Sequence, residues 1–178
     1  MIVAKNIKIR PANPQDKQNI FNWLANSNLT SEMLGPPKFP DAKIPSWEEF
    51  LSDYPDYFFT GSEPLKGQCF VITYNSIEVG QINHDVINTI GMYTYLDIWL
   101  SDKKYTGKGI GTVAIKLICN YLHDKFNCKE IRIAPSKRNL NAIKAYKKAG
   151  FVMTDIQLDE PEMDYEDNVV LVKKLVNE

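Results

Sequence analysis

The chain has 178 residues, of which 44% are hydrophobic and 24% charged, and its formal net charge is −1. This composition is typical of one ordinary globular domain, here residues 1–178, that is large enough to bury a substantial core. It contains no run of about 18 apolar residues, which excludes a membrane-spanning helix, and its near-neutral charge argues against nucleic acid as a partner.

The cysteines and histidines predict no metal site. Cys69, Cys119 and Cys128 have neither metal-like nor redox spacing, and His84 and His123 are isolated from each other. We therefore expect buried thiols in a reducing cytoplasm. The first residues lack an apolar stretch followed by a small-residue cleavage site, so no signal peptide is predicted.

The first third of the chain predicts a strand, a helix and an irregular stretch. Residues 7–11 alternate like a strand that stops at a proline. A helix is predicted in "NPQDKQNIFNWLAN", with Asn13 as its cap and Pro14 at its first position. Residues 30–68 hold most of the prolines and read as irregular, with one short helix that starts near Ser46. Such a stretch within a compact domain is often a binding loop.

The rest of the chain alternates strands and helices. Residues 68–74 and 77–86 flank a tight turn at Asn75-Ser76, and residues 92–100 form an aromatic-rich third strand. A helix is then predicted from about Gly109 to Phe126. Its expected apolar face comprises Ile110, Val113, Ala114, Leu117, Ile118 and Tyr121.

The predicted pattern continues with a strand at 130–134, a helix that ends at Gly150, and two final strands in "FVMTDIQ" and "NVVLVKKL". This order indicates an α/β domain with a mixed sheet.

A glycine-rich loop, "YTGKGIGT", joins the third strand to the long helix. Backbone N–H groups of such a turn can converge on an anion at the positive end of the helix, which a merely flexible loop would not explain. A Walker A loop is excluded because Asp102 stands five residues before Gly107 and Lys108 is followed by Gly109. A dinucleotide loop fits weakly, since the expected acid, Glu130, lies at the wrong end of the next strand.

Two motifs carry a resemblance to a known family. Gly109 and Gly111 fall on the glycines of the pattern Arg/Gln-x-x-Gly-x-Gly/Ala, with Thr106 where Arg or Gln is usual. The segment "NLNAIKAYKKAGF" matches a second pattern, Asn-x-x-Ala-x-x-x-Tyr-x-x-x-Gly-Phe. The sequence therefore resembles the GNAT superfamily of N-acetyltransferases, most clearly from about Thr94 to Phe151.

The resemblance implies the GNAT fold, a mixed central sheet flanked by helices, with acetyl-CoA as cosubstrate and no metal. The thioester would lie where the strand ending "DIWL" diverges from the parallel strand "EIRIA". Trp99 and Leu100 could equally be plain core residues, and Asn139 a helix cap. The cofactor-binding residues that the resemblance implies are Trp99, Leu100, Thr106, Gly107, Lys108, Gly109, Ile110, Gly111, Thr112 and Asn139.

Two residues are candidates for catalysis. The resemblance makes Tyr146 the group that protonates the departing thiolate, although it could instead simply pack on the core. Asp97 interrupts an apolar strand, where burial is costly unless the carboxylate is paired or used. It lies twelve residues before Gly109, as in the aminoglycoside 6'-N-acetyltransferases, where an Asp contacts the accepting amine. The alternative is a solvated residue on an exposed strand face.

The charge pattern indicates where an acceptor could bind. Basic residues dominate from Lys103 to Lys148, whereas residues 155–167 contain seven acids and no base. Solvated surface would explain this, but so would an anionic ligand on one side and a cationic one on the other. Asp85, Tyr95 and Asp97 are the substrate-binding candidates, with the acidic segment and residues 30–68 as further walls.

We expect a cytoplasmic enzyme that acetylates a small-molecule amine, preferably an aminoglycoside or a polyamine-like molecule. One alternative is protein N-termini, as in the ribosomal-protein N-terminal acetyltransferases, which have a similar loop. Another is a non-catalytic acyl-CoA-binding module, which the departure at Thr106 favours. A homodimer is an expectation from the family alone.

Overall fold

The sheet of this α/β domain is mixed, as predicted. The computed structural model describes residues 6–34, 44–158 and 167–175. The strands in these ranges are β1 (Ile7–Pro11), β2 (Gln68–Tyr74), β3 (Ile77–His84), β4 (Tyr93–Leu100), β5 (Glu130–Ile133), β6 (Val152–Thr154) and β7 (Val170–Lys174). Their order across the sheet is β1-β2-β3-β4-β5-β7-β6, and β4 and β5 run parallel while the other neighbours are antiparallel.

The helices divide between the two faces of the sheet. Those in the described ranges are α1 (Lys17–Ala25), α2 (Thr30–Met33), α3 (Trp47–Asp53), α4 (Tyr57–Thr60), α5 (Ile110–Phe126) and α6 (Leu140–Lys148). Helices α5 and α6 cover one face, and α1, α3 and α4 pack on the other. None of these helices combines the length and the apolar character that crossing a membrane requires.

Local sequence signals account for the boundaries of several elements. The predicted β2–β3 turn is confirmed, because Asn75 and Ser76 both adopt positive φ angles, 51° and 66°, as a two-residue hairpin turn requires. The predicted cap at Asn13 is also confirmed: its side chain accepts a hydrogen bond from the Gln15 N–H in a short 3-10 turn that leads into α1. Gly150, with φ of 94°, follows the end of α6.

The buried face of α5 differs in part from the predicted one. Ile110, Ala114 and Ile118 are buried as expected, but Val113, Leu117 and Tyr121 are only half-buried. Three other side chains complete the buried face: Ile115, Cys119 and Leu122. This helix is apolar around more than half of its circumference, so its periodicity could not decide which of two adjoining stripes faces the sheet.

The predicted irregular stretch is more ordered than expected. Its described parts contain α2, α3 and α4 rather than one helix; residues 35–43 lie outside the described residues. Ser46 caps α3 in a reciprocal capping box with Glu49. The buried rings of Phe50, Phe58 and Phe59 then build a second hydrophobic core. The described parts of the stretch therefore pack as a layer over one face of the sheet.

The three cysteine thiols are buried, as predicted. Burial raises the pKa of Cys119 to about 12 and also raises the pKa values of Cys69 and Cys128 above their usual range. Because the thiolate is the reactive form, none of these side chains is set up as a nucleophile.

His84 is fully buried on the α5 side of β3. Its Nδ1 lies 2.9 Å from the carbonyl oxygen of Asp85, and a carbonyl can only accept, so Nδ1 carries the proton. Its Nε2 has no hydrogen-bond partner among the described residues. Burial, more than the nearby charge of Lys125, lowers the pKa of His84 from 6.5 to about 4.

We predict that His84 makes the fold sensitive to mild acid. The unfolded chain binds a proton near pH 6.5 and the folded chain only near pH 4, so stability is full above pH 6.5 and falls as the pH drops through this window. The loss attributable to His84 is about 3 kcal/mol. Urea unfolding of the wild type and of His84→Leu between pH 7 and pH 4 should show a flatter dependence for the variant. Parallel curves would contradict the prediction.

Candidate active site

The parallel strands β4 and β5 diverge in the middle of the sheet. Only residues 93–95 of β4 pair with β5, ending at Tyr95 opposite Arg132, while β4 continues to Leu100 along β3 alone. The predicted divergence is therefore confirmed. Helices α5 and α6 follow β4 and β5 in the chain, so both begin at the open end of this gap.

The register of β3 and β4 decides which backbone groups of β4 face the gap. The Asp85 N–H donates to the Tyr95 carbonyl at 3.1 Å, and the Ser101 N–H donates to the Val79 carbonyl at 2.8 Å. Since bonding alternates along an antiparallel pair, odd-numbered residues of β4 bond to β3. Ile98 and Leu100 therefore turn their N–H and C=O groups towards the gap.

The backbone of Leu100 faces the gap, whereas that of Trp99 faces β3, and a contact of either residue with a cofactor remains a prediction. The backbone of Trp99 pairs with Gln81 in β3, and its indole N–H donates to the Ile20 carbonyl at 3.2 Å. Trp99 thus fixes α1 against the sheet as a core residue. The sequence did not single out Ile98 as a residue whose backbone faces the gap. Strand alternation would identify it once the register of β3 and β4 is known.

The glycine-rich loop forms the start of α5. Gly107 and Gly109 have φ angles of 71° and 77°, which few residues other than glycine adopt readily. The Thr106 hydroxyl donates to the Lys103 carbonyl at 2.7 Å and so stabilises the preceding turn. Thr106 to Gly109 are exposed, whereas the Ile110 side chain is buried in the core.

The first turn of α5 has the properties of an anion site. The N–H groups of Ile110, Gly111 and Thr112 have no acceptor within the helix, because the first turn has no preceding carbonyls. Gly109 supplies no capping side chain. The positive end of the helix therefore presents free donors at the open end of the gap. Lys108 is exposed beside them.

Polar contacts from the α1–α2 region brace this loop. Asn28 accepts from the Lys103 N–H at 2.8 Å and donates to Asp102 at 3.2 Å. Glu32 pairs with the Lys103 ammonium at 2.6 Å, and its carbonyl accepts from Asn139 at 3.4 Å. The loop before α5 is thereby tied to the start of α6. The sequence carries no signal for Asn28 and Glu32, because no local pattern connects them to residues so distant in the chain.

Asn139 caps α6, which is the alternative role that the sequence predicted for this residue. Its side-chain oxygen accepts from the Ala142 N–H at 3.1 Å. A contact of Asn139 with a cofactor remains a prediction.

The substrate-binding candidates lie together on the face opposite α5. Asp97 pairs with Asn83 in β3, which in turn pairs with Cys69 in β2. The backbone of Asp85 bonds to that of Tyr95, and Asp85, Tyr95 and Asp97 are all half-buried. Burial and the negative charges of Asp85 and Asp97 together raise the pKa of Cys69, so both carboxylates lie near this thiol.

A chain of polar side chains runs along β3 on the same face. The Gln81 amide donates to Asn83 at 3.1 Å, and the Asn83 amide donates to Asp85 at 3.1 Å. Gln81 and Asn83 are both 0% exposed. The alternation of polar residues in "QINHD" is a sequence signal that could have identified this chain.

Arg132 closes the narrow end of the gap. Its guanidinium carbon lies 3.6 Å from the centre of the Tyr93 ring, and Nε donates to Glu130 at 2.6 Å. Nη1 lies 3.5 Å from the Tyr95 hydroxyl, at the last paired position of β4 and β5. The point of divergence is thus held by side chains from both strands.

Tyr146 lies on the other side of the sheet from Asp97. It is half-buried on α6 against the α5-side core, with its ring centre 6.3 Å from that of Phe151. Two side chains on opposite faces of a sheet can act on one molecule only where strands separate. The gap is therefore the place where Tyr146 and Asp97 could meet a common substrate.

Most of the predicted acidic wall, residues 159–166, lies outside the described residues. At its end, Asp167 accepts from Ser136 at 3.0 Å and pairs with Arg138 at 2.6 Å. Because Ser136 and Arg138 connect β5 to α6, the end of the segment is fastened near the open end of the gap. Across the described ranges, no three His, Cys, Asp or Glu side chains gather as metal ligands would.

Comparison with known proteins identifies a family. A model described as an acetyltransferase (GNAT) domain matches residues 6–152. A spermine/spermidine N(1)-acetyltransferase of Bacillus subtilis (strain 168) is 31% identical over 81 residues, which cover 46% of this chain and 49% of the relative. The chain thus spans about half the length of the curated relatives it matches.

Solved structures share the fold. AAC(6')-Ib in complex with paromomycin and acetyl-CoA has a TM-score of 0.73 and 19% identity, covering 95% of this chain and 93% of the other. The spermidine N-acetyltransferase from Vibrio cholerae, in complex with CoA and spermine, has a TM-score of 0.71 and 20% identity, covering 96% of both chains. At such identity the likeness shows the fold alone.

We predict that two glycines of the loop respond differently to alanine. Gly109→Ala forces a residue with a side chain into a left-handed conformation, which costs about 1–2 kcal/mol. If the backbone shifts to relieve this strain, the first N–H groups of α5 point away from the anion site, so acetyl-CoA binding should weaken about tenfold. Gly111→Ala should preserve binding, since Gly111 lies within α5 and an added Cβ would lie 3.7 Å from the nearest atom, in Ile98. Calorimetric titration with acetyl-CoA and thermal unfolding would test both variants. Equal affinity losses would contradict the prediction.

Proposed function

The chain belongs to the GNAT acetyltransferase family, and from that premise we propose that it transfers acetyl from acetyl-CoA to a primary amine of a small polycation. One observation carries the proposal: the gap between β4 and β5 has an anion site at its open end and two carboxylates, Asp85 and Asp97, on the adjoining face. Donor and acceptor would meet at this gap.

The residues at the gap suit the donor. The diphosphate of acetyl-CoA would bind to the N–H groups of Ile110, Gly111 and Thr112, with Lys108 nearby to balance its charge. The amide-containing arm would lie along Ile98 and Leu100, whose backbone groups can bond to it as a neighbouring strand would. Bound there, the cosubstrate supplies an activated acyl group.

In the proposed reaction, Asp97 and Tyr146 each transfer one proton. The amine nitrogen forms a bond to the acetyl carbon while the carbon–sulfur bond breaks. Asp97 takes the proton that the attacking nitrogen loses, and Tyr146 gives its hydroxyl proton to the departing thiolate. Their placement on opposite faces supports this division, because the amine and the sulfur would lie on opposite sides of the acetyl carbon.

The surroundings of Asp97 favour a polycationic acceptor. Asp85 and Asp97 provide two negative charges on one face. The aromatic residues of the second hydrophobic core lie on the same face, where the ring centres of Tyr54 and Trp99 are 5.9 Å apart. Carboxylates and aromatic faces together attract ammonium groups. The relatives named for spermine and spermidine are consistent with this class.

An amine panel tests the proposed activity. We expect thiol release from acetyl-CoA with spermine, spermidine or kanamycin, and at least tenfold lower kcat/KM with butylamine, which lacks a second charge. The enzyme's own thiols are buried and should contribute little to a thiol-reagent assay. Turnover with N-terminal peptides alone would indicate a protein acetyltransferase. No turnover with any amine would indicate an acyl-CoA-binding module and overturn the proposal.

Replacing Asp97 tests its role as the base. Asp97→Asn keeps the shape but cannot accept the proton, so kcat/KM for the amine should fall roughly 100-fold at pH 7. The dissociation constant for acetyl-CoA, measured by calorimetry, should stay within about twofold. Asp124→Asn, which removes an exposed acid of α5 on the opposite side of the sheet, is the matched control and should leave both values unchanged. Equal losses of turnover and cofactor affinity in Asp97→Asn would remove it from the catalytic residues.

A further inference from the structure

Strand β3 buries amide side chains that the fold does not need. Gln81 and Asn83 are 0% exposed on the face that also carries Asp97. An apolar side chain such as valine could fill either position, whereas an amide costs about 1–3 kcal/mol if its hydrogen bonds are not made. Ile82, on the opposite face between them, is an ordinary core residue. Packing alone therefore does not explain why positions 81 and 83 carry amide side chains.

The hydrogen bonds along β3 point in one direction. A carboxylate only accepts, so Asp85 fixes which end of the Asn83 amide faces it. The Asn83 oxygen is then turned back and accepts from Gln81. The oxygen of Gln81, at the head of the chain, has no partner among the described residues. Both buried amides thus orient their donors towards the carboxylate of Asp85.

Asn83 occupies the position between the two candidate acceptor-binding acids. It pairs directly with Asp97 across the β3–β4 ladder and precedes Asp85 by two residues on the same face. Directly opposed side chains in an antiparallel pair lie about 5 Å apart at Cβ. A change at Asn83 therefore affects the arrangement of both carboxylates without removing either charge.

We propose that Asn83 is a positioning residue for the acceptor amine: it holds the Asp85 carboxylate by a hydrogen bond so that Asp85 and Asp97 face one cationic substrate together. Gln81 supports Asn83 from behind. This inference rests on the proposed function, because it assumes that a cationic amine binds at these carboxylates.

A double-mutant cycle tests the proposal. Asn83→Leu removes the donor at similar volume, and Asp85→Ala removes the group that Asn83 holds. With acetyl-CoA saturating and the best amine of the panel varied, Asn83→Leu alone should lower kcat/KM about tenfold, mainly through KM. In the Asp85→Ala background the same change should cost less than about twofold, because nothing remains to be held.

Gln68→Leu is the matched control for loss of a buried amide. Gln68 is buried in the adjacent strand β2, but its side chain accepts from Tyr121 of α5 at 3.0 Å, on the other face of the sheet. We expect its effects on kcat/KM to be the same with and without Asp85. If Asn83→Leu fails to fold, Gln81→Leu replaces it, with an expected loss of about threefold that also disappears in the Asp85→Ala background.

The outcomes separate this inference from the proposed function. If the wild type turns over and Asn83→Leu lowers kcat/KM by the same factor with Asp85 and in the Asp85→Ala background, then Asn83 is a structural residue. This result would overturn the inference but not the proposed function. No effect of Asn83→Leu would do the same. Absence of turnover with every amine in the wild type would overturn the proposed function, and the inference with it.

Discussion

The central constraint in this structure is that two parallel strands in the middle of one sheet pair over only three residues, 93–95 of β4, before they diverge. Backbone groups of a strand interior ordinarily bond to neighbours on both sides, and leaving them unpaired in a protein interior is costly. Here Ile98 and Leu100 turn theirs to a gap instead. The rest of the molecule is arranged around this departure from regular pairing.

Each end of the gap is held by a different kind of interaction. At the narrow end, Arg132 stacks on Tyr93 and bonds to Glu130, so charge and aromatic contact secure the last paired residues. At the open end, the brace of Asn28 and Glu32 connects the loop before α5 to the start of α6. An opening maintained from both ends is pre-organised for an extended ligand, which reduces the ordering cost of binding.

The two faces of the sheet have different chemical character, and this supports separate donor and acceptor sides. The α5 side is an apolar core with the positive end of a helix at its rim. The opposite face carries the polar chain of β3, the half-buried Asp97 and an aromatic layer. A gap through the sheet is where an anionic cosubstrate from one side and a cation from the other can meet.

Much of the fold was predictable because its signals are local. Alternation in β2, β3 and β4, the Asn75-Ser76 turn and the caps at Asn13 and Ser46 each depend on a few adjacent residues. Of the short helices on the other face only α3 was predicted, from the signal near Ser46. Helices α2 and α4 and their packing as a layer were not, because such short helices are stabilised by contacts with residues distant in the chain.

By itself, the sequence determined the order of the strands and of helices α1, α3, α5 and α6, the glycine-rich loop and the family, since all of these depend on neighbouring residues or on spacing. Only the tertiary structure decided which stripe of α5 is buried, that Ile98 rather than Trp99 turns its backbone to the gap, and that Asn83 lies between Asp85 and Asp97. These features depend on strand register and on contacts between residues far apart in the chain. No local pattern encodes them, because register emerges only when the strands pair.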